Sequence, residues 1–199
     1  MLTKKTKKTE EILETSLLLF SQKGFYSTTM PDIAKEMHMS VGNFYNYFPS
    51  KEALAKELIK YSSDNVGARL KEVNELKCSS KEKIKKMVTV YFEIATQKPQ
   101  YLDYFLRVYL ANKEIFKDGC EGMICVASFV TEMMIFFEEG VRNNELRDQD
   151  FFSAFGLFMG YLGGFVFLFG EGILEKDLSF YIEDISHNIY QALKTNEED

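Results

Sequence analysis

The side chains best able to do chemistry by hydrogen bonding cluster in one short run, Ser40-Val41-Gly42-Asn43-Phe44-Tyr45-Asn46-Tyr47. Small and polar groups open it: Ser40, Val41, Gly42 and Asn43 leave room for a bulky partner to come close. Phenolic hydroxyls follow at Tyr45 and Tyr47, able to reach phosphates or base edges. Phe44 and Phe48 suit packing on the opposite side. A short helix of this make-up fits the major groove of duplex DNA, about 12 Å wide, because the leading face of an entering helix must be small or polar there. That chemistry is recognition, not bond making. The chain carries no Gly-rich phosphate loop, no paired-His metal motif and no nucleophile elbow. With His38 and His187 as its two histidines, a Ser–His or Cys–His pair has almost no candidates. No enzyme activity, metal or cofactor is expected.

The elements that must position this run are legible from periodicity and caps. Ile12, Ser16, Leu19, Phe20 and Lys23 share one helical face, so a first helix is expected from about Thr9 to Lys23, stopped by Gly24. A second begins at Thr29, whose hydroxyl can cap free backbone N–H groups. Asp32 sits at its third position, Pro31 is tolerated in its first turn, and Ile33, Ala34 and Met37 face inward. His38-Met39-Ser40 is a break with Ser40 as the next cap. A third helix spans Val41 to about Tyr47, and Pro49 ends it by restricting Phe48. Ser50 caps a long fourth helix, about 51–73. Two helices joined by so short a turn, the second brief and polar at its start, describe a helix-turn-helix.

The stretches Gly24-Phe25-Tyr26-Ser27-Thr28-Thr29, Asp32-Ile33-Ala34 and Ser40 through Leu54 resemble the tetracycline-repressor (TetR) family of bacterial regulators. The resemblance covers about residues 9–54. It implies an all-helical homodimer with an N-terminal DNA-binding module and a C-terminal domain for ligand binding and dimerisation. Carried over by position, Thr29 would contact phosphate, and Val41, Gly42 and Asn43 would face bases or backbone. Tyr45 and Tyr47 would lie on phosphates or bases, and Lys51 would meet a phosphate at the start of the next helix. The chain departs from the family at His38, where Gly is usual. His enters the left-handed conformation at some cost, though more readily than branched residues do.

Charge is distributed as such a division of labour needs. Residues 1–51 hold seven lysines against five acids, in a chain whose formal net charge is −6. A mildly basic head on an acidic body is the asymmetry expected when one end alone meets DNA. Lys4, Lys5, Lys7 and Lys8 are either an arm along the duplex or a solvated terminus. Cys78, Cys120 and Cys125 are odd in number and match no metal pattern, so idle thiols in a reducing cytoplasm are expected. The basic N-terminus lacks the apolar stretch of a signal peptide. Phe151 to Gly170 holds 20 uncharged residues, long enough to cross a membrane. Acids at both ends (Asp148, Asp150, Glu171) and five glycines favour instead a helix buried in a dimer. No membrane association is expected.

Beyond residue 74 helical periodicity continues over about 80–97, 99–111, 120–143, 148–171 and 177–195, with no convincing strand, so the fold class is all-α. Division into a helix-turn-helix DNA-binding domain (1–51) and a ligand-binding and dimerisation domain (52–199) follows. Met87, Tyr91, Phe105, Tyr109, Phe129, Met133 and Phe137 are candidates to line a cavity for a small apolar or aromatic effector, since thioethers and flat rings make adaptable walls. Arg107, Glu93 and Glu132 interrupt apolar runs and would select ligand charge if they faced it. Gly156, Gly160, Gly163 and Gly164 form a stripe that admits a second helix closely. With Tyr181, Ile185 and Ile189 of the last helix they are candidates for a homodimer interface, which would set two reading helices about 34–36 Å apart on a palindromic DNA operator. A DNA-binding regulator without an effector, and a membrane protein spanning at 151–170, stay open as alternatives.

Overall fold

The computed structural model describes residues 4–117 and 124–195, with the side chains of Lys4, Lys5, Thr6, Leu106, Arg107 and Lys113 outside the description. Among the described residues every extended element is helical, with one isolated antiparallel bridge joining Leu146 to Lys194. The fold is all-α, as periodicity indicates. The chain forms two compact units. The first comprises Met1–Asn65 with Lys98–Ala127, and the second Val66–Gln97 with Ser128–Asp199.

In the first unit, α1 (Lys4–Lys23) starts a turn earlier than expected, and Lys8 pairs there with Glu11 at 2.9 Å. Gly24, at φ +82°, ends it by donating its amide to the Phe20 carbonyl. α2 (Met30–Glu36) and α3 (Val41–Tyr45) follow, then α4 (Lys51–Asn74), capped by the Ser50 hydroxyl on the Ala53 amide. α3 is shorter than its pattern suggests. The amides of Asn46 and Tyr47 bond three residues back, to Asn43 and Phe44, tightening the chain before Pro49. Ile12, Leu17, Phe20, Ile33, Phe44, Leu54 and Leu58 have no exposure and form the core. Each such burial stabilises by about 1.5–3 kcal/mol.

The expected helix over 99–111 is irregular. α6 (Gln100–Asp103) widens into a π-turn over Tyr104–Tyr109 and tightens to a 3-10 turn over Leu110–Phe116, with Asn112 leaving helical geometry. Local packing accounts for the change. The Phe105 and Tyr109 rings stack at 5.3 Å, Tyr109 meets Phe116 edge-on at 5.0 Å, and the Asn112 amide takes the Val108 carbonyl. This segment is fastened to α1 and α4 by polar contacts. The Tyr104 hydroxyl donates to the Ala55 carbonyl at 2.9 Å. The Glu14 carboxylate accepts from Tyr101 at 2.5 Å, Tyr61 at 2.9 Å and Lys98 at 3.4 Å.

The second unit holds α5 (Ser80–Gln97), α7 (Ala127–Arg142) after a 3-10 turn at Ile124–Val126, α8 (Phe151–Gly170), and α9 (Ile182–Leu193) after a 3-10 turn at Leu178–Tyr181. Asp150 caps α8 through the Ser153 amide. Ile84, Val88, Met133, Phe136, Phe158 and Leu162 are buried in its centre. The carboxyl end of α4 is held by charge as well as packing. The buried Lys83 ammonium donates to the Asn74 carbonyl at 2.7 Å and pairs with Glu139 at 3.0 Å, complementing the negative helix end. Gly67 is required sterically, because a Cβ there would lie 2.9 Å from the Ser128 backbone.

Burial raises the Glu14 pKa, but hydrogen bonds from Tyr101 and Tyr61 and the charge of Lys98 outweigh it and hold the carboxyl below its ordinary value. A depressed carboxylate contributes stability that is full above its unfolded pKa and lost as pH falls through the folded one. Thermal unfolding followed from pH 7 to pH 3 should therefore show Glu14→Gln less stable than the natural chain at neutral pH and less sensitive to acid. Parallel pH profiles would remove this role from Glu14.

Candidate nucleic-acid interface

Caps and one strained turn build the exposed edge of the first unit. Thr29 is extended (φ −109°, ψ 158°) and caps α2. Its Oγ1 accepts from the Asp32 amide at 3.2 Å and donates to Asp32 Oδ2 at 2.5 Å. The same carboxylate accepts from the Thr29 amide at 2.9 Å. This reciprocal box satisfies donors that the helix start would leave bare, and the Thr29 hydroxyl and amide hold the Asp32 carboxyl below its ordinary value. At the other end of α2, His38 takes φ +52°. The next amide, of Met39, then reaches back to the Ala34 carbonyl at 2.8 Å. His38 thus adopts the left-handed conformation that glycine enters at no steric cost.

Ser40 opens α3 from an extended conformation, its hydroxyl accepting from the Asn43 amide at 3.3 Å. Phe44 and Phe48 are buried, while Ser40, Gly42 and Asn43 are exposed, as are Val41 (41%) and Tyr45 (44%). Tyr47 is half-buried. A Cβ on Gly42 would meet nothing within 4 Å, so the fold itself does not demand glycine there. Thr29, Ser40, Val41, Gly42, Asn43 and Tyr45 are all exposed and belong to one helix-turn-helix. Lys51 differs. It is half-buried, with its ammonium 4.2 Å from the centroid of the Phe25 ring, and burial lowers its pKa against the opposing pull of Glu52. Sequence reasoning overlooked Tyr26, which is 77% exposed and edge-on to Phe25 at 5.3 Å. The signal was available: of two adjacent aromatics in a tight turn, only one can point inward.

The seven candidate cavity residues fall in both units. Phe105 and Tyr109 belong to the first unit; Met87, Tyr91, Phe129, Met133 and Phe137 belong to the second. Met87 and Met133 are fully buried, Tyr91 and Phe137 nearly so, and Phe105, Tyr109 and Phe129 half-buried. Burial pushes the Tyr91 hydroxyl up to about 12. The second unit has a cleft of 650 Å³ between α4 and α5, walled by Arg69, Val73, Lys85, Lys86 and Glu93, which includes none of the seven. A cleft of 410 Å³ by α7 and α8, walled by Met134, Phe137, Arg142, Arg147 and Phe151, includes Phe137 alone. Glu93 is paired with Arg69 at 2.5 Å, and Glu132 accepts from Asn74 at 2.9 Å, so both have local partners. Arg107 lies outside the described side chains.

The candidate dimer residues divide. Gly156, Gly160 and Gly164 are exposed and Gly163 half-buried, and a Cβ at any of them would meet nothing within 4 Å of its own chain. Tyr181 is half-buried against Phe165. Ile185 and Ile189 are a correction. They are 1% and 0% exposed, on the α9 face that packs against α5, and have no surface to offer a second copy. The glycine stripe instead continues into Phe152 and Phe167, each 60% exposed and both missed, though they share its helical spacing. α8 is long and apolar enough to cross a membrane, and 17% of its most apolar window is buried within the chain. The cysteines also need correction: Cys78 is free, but Cys125 is disulfide-bonded and so is not an idle thiol. His187 is exposed.

Residues 12–58 match the profile of bacterial regulatory proteins, tetR family. The chain is 38% identical over 96 residues to the HTH-type transcriptional regulator YuxN of Bacillus subtilis, covering 48% of this chain and 33% of that protein. It is 28% identical over 177 residues to YerO of the same organism, covering 74% of this chain and 61% of YerO. These matches span less than two thirds of the relatives' length. Among solved structures, FadR from Bacillus subtilis in complex with stearoyl-CoA superposes with a TM-score of 0.79 at 18% identity, covering 91% of this chain and 97% of that one.

His38 holds a conformation that costs a non-glycine residue about 1–2 kcal/mol. His38→Gly removes that strain and gives back part of it in unfolded-chain entropy. The substitution should raise the thermal midpoint by about 2–4 °C for each kcal/mol gained. A lowered midpoint would mean that the imidazole makes a stabilising contact of its own.

Proposed function

We propose that the chain, whose residues 12–58 match the bacterial regulatory proteins of the tetR family, is a transcriptional repressor of that family. It binds a palindromic operator as a homodimer and is released by a small apolar or aromatic effector. One observation carries the DNA-binding part. α3 is anchored by Phe44 and Phe48 and turns outward a face of Ser40, Val41, Gly42, Asn43 and Tyr45 that the core does not use. A small, polar, projecting face on a capped helix is what a major groove admits. Residues 1–51 are the reading domain, with Thr29 and Lys51 on phosphates and Tyr45 and Tyr47 on phosphates or bases. Residues 52–199 hold the dimer contact and the effector. The working compartment is the cytoplasm, where the DNA is, and the role is regulatory, not enzymatic.

The exposed stripe of α8, from Phe152 through Gly156, Gly160 and Gly164 to Phe167, supports pairing with a second copy, because small residues allow helices close approach and the flanking rings need cover. FadR of Bacillus subtilis holds stearoyl-CoA on the same fold, which supports an effector with a large apolar part. The effector enters by preferring one packing of the C-terminal domain, and a coupling of about 1–3 kcal/mol is enough to loosen the operator. A second reading, a DNA-binding regulator without a small-molecule effector, draws support from the two clefts of the second unit, whose walls take in Phe137 but none of the other six candidate cavity residues.

Selection of bound sequences from random duplex DNA tests the proposal, with an inverted repeat as the expected outcome. Tyr45→Ala should weaken operator binding by about 1–3 kcal/mol, with unchanged circular dichroism and elution as a dimer without detergent. Undiminished affinity in the folded variant would contradict the assigned groove face, and a requirement for detergent would favour membrane insertion of α8.

A further inference from the structure

Lys51 stands in an awkward place for a cation. It is the first residue of a 24-residue helix, whose N-terminus carries partial positive charge and favours anions. Glu52, next in sequence, attracts it, but the ammonium is laid elsewhere, 4.2 Å from the centroid of the Phe25 ring and 6.0 Å from that of Phe20. Both distances are within the range over which an aromatic face attracts a cation. The platform beneath it is rigid. Phe25 is buried and stacked on Phe20 at 5.6 Å and 26°, Phe20 has no exposure, and Tyr26 closes the edge of Phe25 at 86°. The ring therefore cannot turn away, and it pre-orders a side chain that would otherwise lose rotamer freedom on binding. The cation held there sits beside free helix N–H groups, an arrangement that suits a phosphate.

Resting on the DNA-binding reading above, we propose that Phe25 is a positioning residue for DNA recognition: its ring holds the Lys51 ammonium at the start of α4, where a backbone phosphate of the operator meets it. Phe25 does not touch DNA; it acts through Lys51. A purely structural Phe25 would affect stability and affinity without altering how many phosphates are neutralised.

The salt dependence of operator binding separates these roles. Each neutralised phosphate contributes about 0.9 to the slope of log K against log salt concentration. For the whole chain as a homodimer, Lys51→Gln should lower the slope by about two such units, one for each protomer. Phe25→Leu should lower it by at least half as much with the lysine still present, the double variant no further than Lys51→Gln alone, and Phe25→Tyr should restore it. An unchanged slope in Phe25→Leu, or in Lys51→Gln, overturns the proposal. If Phe25→Leu does not fold, reductive ¹³C-methylation of the natural chain supplies the second measurement. The Lys51 methyl signal should be shifted upfield by the ring in free protein and moved again by operator, and an unshifted signal overturns the proposal. Failure of the natural chain to bind any duplex would instead overturn the wider reading, and this one with it.

Discussion

A helix as short as α3 has no stability of its own, because nucleating a helical turn costs more than a few hydrogen bonds return. It exists because Phe44 and Phe48 are sunk in the core of the first unit and because Ser40 caps its start. That anchoring decides the rest of the exposed edge. With the two phenylalanines turned inward, helical geometry has to turn Gly42 and Asn43 outward, and Val41 and Tyr45 are left partly exposed beside the buried face. The turn before α3 is then tight, with His38 in the left-handed region, and Thr29 caps α2 in a reciprocal box with Asp32.

The second unit meets a different constraint, a long helix whose carboxyl end must be held. Lys83 satisfies the Asn74 carbonyl and pairs with Glu139, while the Asn74 side chain reaches Glu132. Lys83 is the buried member and the Glu139 side chain is 40% exposed, so removing Glu139 takes one partner from a buried ammonium, while removing Lys83 leaves a carboxylate that water can solvate. α9 is spent on this unit's own core through Ile185 and Ile189, which leaves α8 as the element with apolar surface to spare.

What could be read without coordinates follows from how local the determining interactions are. The caps at Thr29, Ser40 and Ser50 act over three residues, and the helix starts they mark agree with the structure. The inward faces of α1 and α2 are fixed by a repeat of the same short range. The Glu14 carboxylate, by contrast, gathers donors 47 and 87 residues away, and nothing in its neighbourhood marks it. The π- and 3-10 turns after Tyr104 depend on which rings stack. Ile185 and Ile189 mark an apolar face correctly, but periodicity does not say whether such a face meets its own chain or another. The same holds for the seven candidate cavity residues, since apolar character reports burial and not its purpose.

The open space around Gly42 separates two properties that are entangled in most binding proteins. Where a recognition surface doubles as core, every change of partner is also a threat to folding, and retargeting proceeds through unstable intermediates. On α3 the buried Phe44 carries the folding, and Gly42 faces open space. Under the DNA-reading proposal, a duplicated copy of this gene could acquire a new set of target sites by drift at positions 41–45 facing solvent, with its thermal stability left where it began.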